Sequence, residues 1–189
     1  MWPWEHLAVG YLTLSVLWRA RGLAVDGRLA CVLAVGTQFP DLVDKPLAWQ
    51  FGILPAPRTL THSLFVAVPL SVLVVVVATR RWRSGGVAFV VGYLTHLLGD
   101  ALPLLLAGYH RHLAFLLWPV LPLPPDQGEQ AVLGRLRATL ASPEPYLTSG
   151  SYRTIVVYFV VVLWLADGAP VATEVGRFFQ RARLRLRNR

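Results

Sequence analysis

Six side chains in the first hundred residues could share a metal ion: His6, Asp41, Asp44, His62, His96 and Asp100. His96 and Asp100 stand four apart in His-Leu-Leu-Gly-Asp, so on a helix they share a face and can reach the same ion. Asp41 and Asp44 follow Pro40, a residue suited to the first turn of a new helix, and their spacing also puts them on one face. Three imidazoles and three carboxylates suffice for one catalytic zinc with an open position, or for a pair of ions. A bound divalent ion activates water. Asp44 or Glu5 is placed to hold or deprotonate that water, and Arg58, four residues before His62, offers the planar fork that fits a phosphate oxygen.

Other chemistry is sparse. Cys31 is the single cysteine, which excludes an internal disulfide and any thiolate-clustered metal site. Ser63 directly follows His62, and helical neighbours diverge by about 100°, so the two cannot form a nucleophile pair. His110 and His112 flank a segment ending Leu117-Trp118-Pro119 and read first as interfacial anchors. Ordinary structural roles compete for the acids. Asp41 and Asp44 suit the capping of a helix N-terminus. A lone carboxylate in an apolar run costs about 2.5–3.5 kcal/mol, so Asp100 needs an ion, a proton or a neighbouring helix.

The elements that must position these groups are apolar. The chain has 189 residues, 55% hydrophobic and 15% charged, with a mean hydropathy of +0.52. A soluble domain carries about 25% charged residues. The composition predicts an all-α fold, a single membrane-embedded domain over 1–189. Apolar stretches at 7–18, 29–39, 64–79, 86–106 and 155–166 predict a multipass transmembrane helical bundle of about five membrane segments, some short or re-entrant. Three arginine clusters (19, 21 and 28; 80, 81 and 83; 177 to 189) hold 12 of the 18 basic residues and fall on one side of that topology. The positive-inside rule makes that side cytoplasmic, including the basic tail 177–189. At helical rise the six candidate ligands lie about 20–27 Å from the arginine layer, near the opposite, extracytoplasmic face. Residues 121–152 then form an extracytoplasmic loop with one short helix, opened by Asp126 and Glu129 and striped by Val132, Leu133, Leu136 and Leu140. The tail's nearest partners are anionic lipid headgroups, and no nucleic acid is expected.

The ordered pieces His6, Phe39-Pro40-Asp41 with Asp44, Arg58 with Thr61-His62-Ser63, and Gly92-Tyr93 with His96 to Asp100 span about half the chain. In them the sequence resembles the membrane-bound metal-dependent hydrolases, also labelled LexA-binding, inner membrane-associated hydrolases. Their order is also similar, more distantly, to that of bacterial zinc-dependent phospholipase C. The second resemblance implies phosphoester hydrolysis with His6, Asp41, His62, His96 and Asp100 as ligands. The later His-x-x-x-Glu pair of that enzyme is missing here, so its full three-metal cluster is not implied.

The sequence thus predicts a multipass cell-membrane protein that uses a divalent metal, zinc foremost, to hydrolyse phosphoesters such as lipid headgroups. A divalent-ion or proton transporter and a non-catalytic membrane protein are the alternatives, because intramembrane His and Asp also mark ion pathways or staple helices. The charge pattern is directly testable. A cysteine replacing Arg83 should react with impermeant maleimide only after the cytoplasmic face is opened, and labelling from outside intact cells would reverse the orientation.

Overall fold

In the computed structural model the described residues are 2–124 apart from 79 and 81, residue 141, and 152–187. All regular structure among them is helical. Helix α1 (Pro3–Arg19) begins with Pro3 in its first turn, and the Glu5 carboxylate reaches back to accept from the Trp2 backbone N–H at 2.7 Å. Helix α2 (Gly27–Trp49) is capped by Asp26, which accepts from Leu29 N at 2.8 Å. Ser63 caps α3 (Leu64–Val77) by accepting from Phe65 N at 3.2 Å. Then come α4 (Arg83–Leu106), a 3-10 helix η1 (His110–Leu117), α5 (Tyr152–Ala166) and α6 (Pro170–Arg187).

Three glycines set how closely the central helices approach. A Cβ built on Gly36 of α2 would lie 2.3 Å from the Phe89 carbonyl oxygen of α4, and one on Gly92 would lie 2.5 Å from the Leu33 carbonyl oxygen. On α1, a Cβ at Gly10 would meet Thr37 Cγ2 at 2.6 Å. With Gly36 at Phe89 and Asp41 at His96, α2 and α4 run side by side in the same direction, and with Gly10 at Thr95 and His6 at Asp100, α1 is antiparallel to both. The C-terminus of α1 and the N-termini of α2 and α4, where Arg19, Arg28 and Arg83 stand, therefore share one end. Leu14, Leu33, Ala88 and Val160 fill the core between α1, α2, α4 and α5.

The expected bundle of about five membrane segments is overturned. Among the described residues α4 alone is long and apolar enough to cross a membrane, and α5 with the start of α6 passes only as a pair bent by 49°. The reasons differ by helix. At 1.5 Å per residue, the 14 residues of α3 extend about 21 Å against a hydrocarbon core of about 30 Å. Helix α2 has the length, with 23 residues, but the polar positions Arg28, Gln38, Asp41, Asp44 and Lys45 dilute its apolar run. Helix α1 has 17 residues and carries Glu5 and His6. Pro40 does not open a new helix either: it sits inside α2, which runs through it. The predicted helix within 121–152 lies outside the described residues, apart from 121–124, 141 and 152. Most of the basic tail is the continuation of α6.

The close approach is a measurable constraint. Gly36→Ala should force α2 from α4 and destabilise the detergent-solubilised protein by about 1–3 kcal/mol, the usual cost of overpacking. Gly85→Ala is the control: its Cβ would meet only Trp82 Cε3 at 3.6 Å, an ordinary contact. It should leave the melting temperature unchanged or slightly raised.

Candidate metal centre

At the end of the bundle opposite Arg19, Arg28 and Arg83, α1 supplies His6, α2 supplies Asp41 and Asp44, the turn before α3 supplies His62, and α4 supplies His96 and Asp100. His6, His62 and His96 are fully or almost fully buried. His6 stacks on His96 with ring centroids 3.8 Å apart, and His96 meets His62 edge-on at 5.2 Å.

The second ring nitrogen of two of these histidines fixes how they face the cluster. His62 Nδ1 lies 2.9 Å from Asp44 Oδ2, and His96 Nδ1 lies 2.6 Å from the Thr37 carbonyl oxygen. An ionised carboxylate and a carbonyl can only accept, so both Nδ1 atoms carry the proton. Both Nε2 atoms then present lone pairs, and they stand 3.2 Å apart. Two lone pairs at that distance repel unless a proton or a metal ion lies between them.

Carboxylates close around this pair. Asp41 Oδ1 is 3.7 Å from each Nε2, and it is buried without a hydrogen-bond partner. Asp100 Oδ2 is 3.8 Å from each Nε2, and Asp100 Oδ1 is 3.3 Å from His6 Nε2. Two overlapping groups could hold a metal: His6, His96 and Asp100, and Asp41, His62 and His96. In each, the ligand atoms lie within 4.8 Å of one another. A buried carboxylate oxygen without a donor, beside inward imidazole lone pairs, is a donor set that suits a divalent ion such as zinc.

Asp44 has a different place. It is fully buried, and its oxygens accept from Thr59 N at 2.9 Å, Thr61 N at 2.9 Å and Thr61 Oγ1 at 2.7 Å besides His62. It stands behind His62 instead of beside the cluster, orienting the ring as the outer carboxylate of a metal-bound histidine does. Burial opposes its ionisation, but the hydrogen bonds from His62 and Thr61 outweigh that and hold the carboxyl below the usual carboxylate range. Glu5 is occupied at the N-terminus of α1 by the Trp2 N–H. Ser63 donates to the Trp118 carbonyl oxygen at 2.6 Å, which ties the end of η1 to the start of α3.

Two cations back the outer carboxylates. Arg58 Nε lies 3.0 Å from Asp100 Oδ2, and Lys45 Nζ lies 2.6 Å from Asp41 Oδ2. These side chains are the accessible part of the site, at 21% exposure for Arg58 and 18% for Lys45, while the histidines behind them are closed off. His110 and His112 lie on η1, which touches the site through Phe115, its ring 6.1 Å from that of His62. Sequence reasoning missed Thr37, whose contribution is a backbone carbonyl and leaves no residue-type signal. It also passed over Lys45, although the four-residue spacing from Asp41 was there to be read.

No curated protein and no solved structure matches the chain. A family described as YdjM inner membrane protein matches residues 1–169, which contain every residue of the centre. A membrane-associated chain with a buried His and Asp cluster at one end of its helices is what the description and the geometry give together, and on that match the chain belongs to the YdjM inner membrane protein family.

Proposed function

We propose that the centre binds a divalent metal, zinc foremost, through His6, Asp41, His62, His96 and Asp100, and that the protein hydrolyses phosphoesters in the membrane, with lipid headgroups as the substrate class. The observation that carries this reading is the pair of Nε2 atoms 3.2 Å apart, each turned inward by a donor bond at Nδ1. When bound, such an ion polarises a phosphoryl oxygen and lowers the pKa of water to about 7.

The chain's own residues do the rest. Asp44 and the Thr37 carbonyl hold the imidazoles in the ligand tautomer. Arg58 and Lys45, the partly exposed cations beside the cluster, would attract an anionic phosphate, and Arg58 offers its guanidinium fork beside Asp100. Among the groups in direct contact, three carboxylates (Asp41, Asp44, Asp100) face two cations (Lys45, Arg58), which leaves one net negative charge with neutral imidazoles. One divalent ion turns that to one net positive charge, the sign that retains a phosphoester. Site access opposite the arginine-rich end is extracytoplasmic if that end obeys the positive-inside rule.

Elemental analysis of the purified protein with phospholipid headgroup release tests this. Near-stoichiometric zinc is expected, lost together with activity in His96→Ala and in Asp100→Ala, with the double variant little worse than either, since ligands of one ion act as a unit. Metal retained in Asp100→Ala removes that ligand. Metal bound without headgroup release, but with zinc uptake into proteoliposomes, makes the protein a transporter. A metal-free protein leaves a shared proton between His62 and His96 and a structural role.

Two substitutions separate positions within the site. Asp44→Asn should weaken metal affinity about 10–100-fold, because the outer carboxylate no longer orients His62. It should also lower the melting temperature, because an amide group cannot accept from every donor around Asp44. Arg58→Lys should impair turnover with metal content near wild type, because the fork is lost and no ligand is. Simultaneous metal loss would make Arg58 a support for Asp100 alone.

A further inference from the structure

At the arginine-rich end the chain turns between α5 and α6 by 49°, through Gly168 and Ala169, both in the left-handed region with φ of 81° and 48°. The turn is fastened to α1. Asp167 accepts from Tyr11 OH at 2.7 Å and from Ser15 Oγ at 3.5 Å, and pairs with Arg19. The first turns of α6 then cross the start of α2, so closely that a Cβ on Gly27 would lie 2.2 Å from both the Pro170 carbonyl oxygen and Glu174 Cγ. Helix α6 therefore leaves the bundle in a fixed direction. It begins just after residue 169, where the family match ends.

Its sequence is two-faced. At 100° per residue, positions Val171, Val175, Phe179, Ala182 and Leu186 fall on one face, and Arg177, Arg181 and Arg185 lie to one side of it, with Arg183 and Arg187 on the other. Val175 is 47% exposed and Phe179 is 61% exposed. Glu174 is the single acid from 170 onward, and it already pairs with Arg177 at 2.8 Å.

We propose that α6 is an in-plane anchor: it lies on an anionic phospholipid surface, with its apolar face among the acyl chains and its arginines at the phosphates. An apolar stripe that leaves the bundle core after Val171 and is exposed at Val175 and Phe179, in a helix this rich in arginine, is the composition of interfacial helices, and positive charge next to a membrane helix is attracted to anionic leaflets. Nucleic acid would use the arginines through phosphate contacts but leave Val175 and the rest of the stripe unexplained. The inference is independent of whether the metal centre is catalytic.

The test uses the full chain in nanodiscs. In a Cys31→Ser background, Ala182→Cys carries an environment-sensitive fluorophore on the apolar face. Adding phosphatidylglycerol to phosphatidylcholine discs should shift its emission to the blue. High salt, which screens exposed charges, should reverse most of the shift, as should replacement of Arg177, Arg181, Arg183, Arg185 and Arg187 by Gln. Helicity and melting temperature report whether that variant folds, and salt reversal on the parent gives the same answer without it. Emission indifferent to phosphatidylglycerol, or a shift that survives both salt and the Gln variant, overturns the proposal. A larger change on adding duplex DNA to phosphatidylcholine discs overturns it in favour of nucleic acid.

Discussion

The centre depends on where two protons sit. Because Asp44 and the Thr37 carbonyl can only accept, His62 and His96 must each spend their ring proton outward, and their inner nitrogens converge as bases. The surrounding structure serves this arrangement. Gly36 and Gly92 let α2 and α4 approach until a main-chain oxygen of one reaches a ring of the other. Pro40 removes a rung of the α2 ladder one turn beyond. Asp44 collects the Thr59 and Thr61 amides, and Tyr93 OH donates to the Thr61 carbonyl oxygen at 2.5 Å, so the loop carrying His62 is held from two helices. Each bond is modest alone, but an imidazole turned by half a ring would lose its acceptor and present a proton to the other ring instead of a lone pair.

The same polar groups explain the membrane character of the fold. A buried charge without a partner is costly, so these groups persist only by satisfying one another. Asp41 is backed by Lys45 and Asp100 by Arg58, and all four lie within or beside helices whose outer faces are apolar. The centre also dilutes the apolar run of α2 through Asp41, Asp44 and Lys45, while α1 falls short at 17 residues and α4 carries His96 and Asp100 and still qualifies.

Much of the centre was legible because residue type and spacing carry it. His96 and Asp100 share a face by their four-residue interval, and His6, His62 and Asp41 arrive at the same depth by counting from the arginines. What failed has physical causes. Asp41 and Asp44 are equivalent by spacing, and only the turn at 59–62, which wraps its amides around Asp44, distinguishes their surroundings. The Trp2 to Glu5 interval fits a carboxylate that caps the N-terminus of α1. Apolar runs are shorter than the helices that contain them: the run at 29–39 ends at Phe39, whereas α2 continues through Pro40 to Trp49. Backbone acceptors such as Thr37 have no side-chain signature.

Depth along α4 fixes which flank of the cluster is exposed. Its 24 residues extend about 36 Å, and His96, 13 residues after Arg83, lies about 20 Å along it. The cluster is therefore below the far end of α4, where Leu105 and Leu106 continue with exposed side chains. Phe115 of η1 stands over His62, and the Ser63 to Trp118 bond fixes that cover in place. With α1 packed against His96 through the His6 stack, the partly exposed flank is the one bearing Asp41, Lys45 and Arg58. On that flank the two cations, each paired with a carboxylate of the cluster, stand between the histidines and the surface.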